Sequence, residues 1–155
     1  MMFIMPNIEH LYLDDLTVGQ RFVSPSATIS RADIVGFASQ FDPQPFHLDD
    51  DAARSTLFGG LAASGWHTAA LTMRLLVAGG APIAGGIVGA GGEVSWPRPT
   101  RPDDVLRVES EVVEIKPSKS KPQQGMVTLR SETLNHRNEV VQTLVARLVV
   151  PRRPA

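Results

Sequence analysis

The chain has 155 residues, a formal net charge of -1, no cysteine, and 43% hydrophobic against 20% charged residues. Those values describe one globular domain over 1–155, large enough to bury a core without metal or disulfide staples. They exclude a disulfide framework, a thiol nucleophile and a thiolate metal site, and the mixed charge leaves no basic face for nucleic acid. A cysteine-free chain of this kind fits a cytoplasmic location.

Residues 1–19 read as an N-terminal arm with no strong period. Its first five residues, MMFIM, lack a positive n-region and a cleavage site, so no signal peptide is expected. RFVSPSATIS, 21–30, is rich in β-branched and aromatic residues and reads as an edge strand, since Pro25 cannot donate to a ladder. Ser30 with Asp33 three residues on forms a capping-box signal. It predicts a helix over 31–40 that buries Ile34, Val35, Phe37 and Ala38. Pro43 and Pro45 end that helix and stiffen a loop over 41–48. Asp49, Asp50 and Asp51 then open a short second helix, where the dipole favours negative charge. Gly59-Gly60 is expected to stop it and to open a long apolar helix over 61–78, closed by Gly79-Gly80 and Pro82. The stretch 57–78 is the one that invites a membrane reading, and Arg74 within it argues against that. Strands follow over 84–96, 104–116, 124–135 and 139–150, separated by PRPTRPDD, KPSKSKPQQG and NHRNE, with the alternation of half-buried antiparallel strands. One long helix against one mostly antiparallel sheet is an α+β architecture.

Three features carry chemistry. Asp42 and His47 flank a proline-stiffened spacer, so a carboxylate and an imidazole can meet at one water and move its protons. Gly59-Gly60 ahead of a helix offers free N–H groups at a positive dipole end. The helix entrance is lined with small residues, and Leu61, Ser64, Thr68, Leu71 and Leu75 share a face, on which Ser64 and Thr68 offer hydroxyls or bond back to their own helix. His67 and Arg74 lie on another side, and a structural role suits them better, with Arg74 pairing an acidic group. Arg98 and Arg101 in the rigid turn 95–104 either hold a phosphate or are exposed turn residues. The four histidines show no metal-ligand spacing.

FDPQPFHLDDDAARSTLFGGLAASGWHTAAL resembles the motif of MaoC-like dehydratases and R-specific enoyl-CoA hydratases. The resemblance implies a hotdog fold, an antiparallel sheet wrapped around one long central helix. It implies that Asp42 and His47 are the catalytic pair, that the Gly60 N–H binds the thioester oxygen, and that Thr68 stands where several members place a site serine, with Ser64 nearby. Gln44-Pro45 replaces the usual Asn-Pro, and Gly59-Gly60 replaces a His-Gly at the helix entrance. The implied reaction is reversible addition of water to a 2-enoyl-CoA, giving an (R)-3-hydroxyacyl-CoA. No cofactor is implied beyond the coenzyme A of the substrate, and the implied assembly is a homodimer or dimer of dimers, with no nucleic-acid or membrane partner. A hotdog thioesterase and a non-catalytic acyl-CoA-binding module are the rival readings.

Overall fold

Alternation along the second half of the chain builds the sheet. In the computed structural model, which describes residues 9–155, the strand Val105–Pro117 buries every second residue from Leu106 to Val112, and Gln124–Leu134 does the same from Gly125 to Thr133. Numbered in chain order, the strands are β1 (Arg21–Val23), β2 (Ala27–Thr28), β3 (Val88–Ser95), β4 (Val105–Pro117), β5 (Gln124–Leu134) and β6 (Val140–Pro151). They pair antiparallel in the order β1-β4-β5-β6-β3, and β2 also pairs with β4. Residues 21–30 therefore do lie at a sheet edge, but as two short strands rather than one, because the ladder is broken around Pro25. Register shifts at Gly89/Gly91, Val112/Glu114 and Thr133/Leu134 act as bulges. Bulges bend their strands and raise the twist, which curls the sheet around a helix. At the first of these, Gly91 has φ 149°, a conformation that favours glycine.

The helices are α1 (Arg31–Phe41), α2 (Pro45–Leu48), α3 (Asp50–Arg54) and α4 (Gly65–Leu75), and α4 runs on through a π turn, Leu76–Gly80. The capping box forms as expected. Ser30 Oγ accepts from the Asp33 N–H and the Asp33 carboxylate accepts from the Ser30 N–H, each at 3.0 Å. Two expectations need correction. The stretch 41–48 is not all loop, because Pro45, fixed in φ, starts a single helical turn that carries His47. The central helix begins at Gly65 instead of residue 61, and residues 61–64 are non-helical. The arm is tied down from residue 9 onward: Leu13 and Leu16 join the core, Leu11 bridges to Ile83, and Asp14 and Asp15 pair with Arg152 and Arg153. MMFIM lies outside the described residues.

The sheet's concave side meets the inner face of α4. Leu71, Leu75, Val108, Val127, Val141 and Val150 lie within one apolar core. Two polar links cross it. Thr72 Oγ1 lies 2.6 Å from Thr133 Oγ1, and Gln142 Nε2 donates to Thr72 Oγ1 at 3.2 Å. The same Gln142 accepts from Trp96 Nε1 at 2.9 Å, so one buried amide locks helix, sheet and the indole that follows β3. Gln142→Leu strands the Trp96 N–H and removes a partner from Thr72. A loss of about 1–3 kcal/mol is expected, read as a lower urea midpoint at unchanged slope.

Candidate active site

Asp42 is the C-cap of α1, and its N–H donates to Ala38 O at 2.9 Å. Gln44 donates twice to Asp42, through its N–H to the carbonyl at 2.8 Å and through Nε2 to Oδ1 at 2.6 Å. Gln44 then caps α2, which buries His47 two residues after Pro45. Both ring nitrogens of His47 are engaged. Nδ1 donates to the Ala62 carbonyl at 2.6 Å, and a carbonyl only accepts, so the proton sits on Nδ1. Nε2 is 3.3 Å from Asp42 Oδ2. With the Nδ1 proton committed to Ala62, Nε2 is the nitrogen that faces the carboxylate, an arrangement that suits a water placed against both. Phe46, edge-on at 4.6 Å between centroids, and Phe58 at 5.8 Å hold the ring.

Burial works to raise the Asp42 carboxyl, but interactions with the Ser64 hydroxyl, Gln44 and His47 outweigh it and hold the group below the ordinary carboxylate value. Its folded value is depressed, so the stabilisation it brings is present above the free-carboxyl range and is lost as pH falls through the lowered value.

The non-helical residues 61–64 stitch the site together. The Ala62 N–H donates to Phe46 O at 3.1 Å, its carbonyl receives His47, and the Ala63 N–H donates to Thr100 O at 2.9 Å. Arg101 reaches in from the turn after β3 and donates to the carbonyls of Phe58, Gly60 (2.9 Å) and Leu61 (3.2 Å). That spends its guanidinium on backbone, so Arg101 is no phosphate ligand. Arg98 instead sits by the cavity and pairs with Glu139 at 3.3 Å on the surface.

Ser64 is the N-cap of α4: its Oγ accepts from the Trp66 N–H at 3.3 Å. Gly65 is the first helical residue, and among the described residues its N–H meets no acceptor. A side chain does not fit there, since a Cβ on Gly65 would lie 2.6 Å from the Trp96 ring. A cavity of about 480 Å³ is lined by His47, Phe58, Gly65, Thr68, Trp96 and Thr100, among others. Asp42 meets His47 and the Ser64 hydroxyl, and Thr68 lines the cavity that His47 lines. Gly60 does not: it precedes the helix by five residues and turns its carbonyl to Arg101. The free amide at the helix start belongs to Gly65. Sequence reasoning passed over Gly65, Thr100 and the bracing role of Arg101; the signal for the first was Ser64, a good N-cap residue directly ahead of it.

A second cleft, about 430 Å³, lies between α1 and α4 and is lined by Asp33, Phe37, His67 and Arg74, among others. His67 stacks on Phe37 at 4.6 Å and its Nδ1 is buried without a partner. Burial pushes its imidazole below the ordinary value, with Asp33 opposing. Arg74 forms no ion pair among the described residues and acts on Asp33 through longer-range attraction. The described residues hold no cluster of three potential metal-ligating side chains, and none of their helices is long and apolar enough to cross a membrane.

The chain matches the MaoC like domain over residues 15–135. It is similar to the uncharacterized protein YdeM of Bacillus subtilis, 34% identical over 128 residues that cover 81% of this chain and 88% of that protein. It is also similar to a 3-hydroxybutyryl-CoA dehydratase of Methylorubrum extorquens, 34% identical over 75% of this chain and 73% of that one. Among solved structures, a MaoC-like dehydratase from Rhodospirillum rubrum superposes with a TM-score of 0.93 at 61% identity, covering 94% of this chain and 99% of that one. An R-hydratase from Pseudomonas aeruginosa superposes at 0.73 with 28% identity, over 93% of this chain and 88% of that one. An antiparallel sheet around a central helix and these matches define a hotdog fold. The chain belongs to the MaoC-like dehydratase family.

Ser64→Ala separates the two tasks of that hydroxyl. Loss of the cap is expected to cost about 0.5–2 kcal/mol in thermal or urea unfolding. Loss of its contact with Asp42 is expected to raise the carboxyl's pKa toward the ordinary value, read by carbon NMR of labelled aspartate.

Proposed function

We propose that the protein catalyses reversible addition of water to the double bond of a 2-enoyl-CoA, giving an (R)-3-hydroxyacyl-CoA. The observation that carries this reading is the His47–Asp42 pair, 3.3 Å apart, with His47 buried, its tautomer fixed by Ala62, and a free helix-start amide at Gly65 in the cavity that His47 lines. The thioester oxygen sits against the Gly65 N–H. Water bridges His47 Nε2 and Asp42 Oδ2. Its oxygen bonds to the β-carbon as one proton passes to Nε2. The double-bond electrons move onto the thioester oxygen, where the helix end stabilises the enolate-like species. Those electrons then return to the α-carbon, which takes a proton from the His47–Asp42 pair. The lowered carboxyl of Asp42 keeps it ionised to hold the water and balance the imidazolium. The dehydratase from Methylorubrum and the R-hydratase from Pseudomonas support the reaction class by similarity.

Asp42→Asn and His47→Gln are each expected to fold normally and to lose at least about 100-fold in hydratase turnover. The measurement is decay of crotonyl-CoA absorbance alongside a thiol assay. Free thiol release from the unaltered protein assigns it to thioester hydrolysis instead, and binding without either signal assigns it to acyl-CoA binding.

We further propose that a second copy covers the outer face of α4. Trp66, Met73 and Val77 are 60%, 42% and 58% exposed on that face, and β3 has one ladder edge open among the described residues. An apolar helix face beside an open sheet edge favours isologous pairing. Sedimentation velocity is expected to give twice the 16.8 kDa chain mass, and Met73→Glu to shift the boundary toward one chain.

A further inference from the structure

Thr68 and Thr100 both line the cavity that holds His47 and Gly65, yet they are only 1% and 2% exposed. Their Oγ1 atoms are 2.9 Å apart, and neither hydroxyl makes another hydrogen bond among the described residues. Two hydroxyls carry two protons, and the contact between them uses one. The other is a buried donor with no protein acceptor, a state native structures rarely tolerate without a partner or a task. A threonine inside a helix often bonds back to the carbonyl four residues earlier. Here that carbonyl, Ser64 O, receives the N–H groups of His67 (3.0 Å) and Thr68 (3.1 Å) and no hydroxyl. The Thr68 side chain is turned outward, to Thr100.

Direction follows from helix geometry. A side chain three residues into a helix lies on the face of the first residue and leans toward the N-terminus. Thr68 Oγ1 therefore overlies the turn that Gly65 begins, where the unclaimed backbone N–H lies. Thr100 is off the helix, on a turn held by the Ala63 N–H at its carbonyl and by neighbouring Arg101. The geometry points to Thr100 as a positioning residue: it donates to Thr68 Oγ1 and so aims the Thr68 proton at the thioester oxygen, as a second donor beside the Gly65 amide. This rests on the hydration reading above. Charge on that oxygen grows as water adds, so the donor strengthens in the transition state, and its loss lowers kcat more than it raises KM.

Thr100→Val keeps the shape and removes the proton. It is expected to lower kcat on crotonyl-CoA at least about tenfold with KM nearly unchanged, against the ~100-fold typical of losing a donor outright, which Thr68→Val should approach. The double variant should fall no further than Thr68→Val alone, because the pair acts as one unit. Thr100→Ser should restore the rate. A readout without turnover uses crotonyl-CoA bound to Asp42→Asn: polarisation of the carbonyl moves the enoyl thioester absorption to longer wavelength, and Thr100→Val or Thr68→Val in that background should reduce the move. Wild-type kcat and absorption in Thr100→Val overturn the proposal while leaving hydration intact. So does a double variant that falls by the product of the single losses. If the unaltered protein leaves crotonyl-CoA unhydrated and Asp42→Asn binds none, the hydration reading fails and this one falls with it.

Discussion

The site depends on one hydrogen bond that a helix would have forbidden. The Ala62 carbonyl accepts His47 Nδ1 at 2.6 Å. Inside an α-helix that carbonyl would face along the axis toward the N–H four residues on. Because residues 61–64 stay out of the helix, their backbone groups are free to serve the loops on either side: Phe46 and His47 from one, Thr100 and Arg101 from the other. The histidine tautomer, the delayed start of α4 and the position of Gly65 are consequences of the same four residues. A helix begun at residue 61 would withdraw the partner of Nδ1 and leave the ring free to rotate or to carry its proton on the other nitrogen.

This also explains where sequence reading succeeded and where it failed. The strands β4 and β5 were legible because period-2 alternation reports burial on one sheet face, and burial is what fixes their register. The Ser30–Asp33 box was legible because its partners are local. Leu61-Ala62-Ala63 is helical by propensity, and the glycine pair before it looked like the start. What overrode propensity was long-range: Arg101, some forty residues on, claims the carbonyls of Gly60 and Leu61. Nothing near residue 61 announces that. Asp42 and His47 were found as a pair because five residues and two prolines limit their separation. That Pro45 makes a helical turn rather than extended loop was missed, although proline favours the first position of a helix.

The buried His47 and the half-buried His67 show why residue type alone assigns nothing. His47 has both nitrogens engaged, one by a backbone carbonyl that fixes its proton and one beside the Asp42 carboxylate. His67 lies one turn into α4, stacked flat on Phe37, with Nδ1 unpartnered. Its environment opposes charge, since burial outweighs the attraction of Asp33. Protonation of His67 therefore works against the fold as pH drops below the range of a free imidazole. Its setting is what an aromatic ring fitted between two helices produces when packing decides its place. The cavity lined by His47 and the cleft beside His67 are similar in size, so volume does not separate them. What separates them is a proton whose position is dictated on one side and an acceptor-free nitrogen on the other.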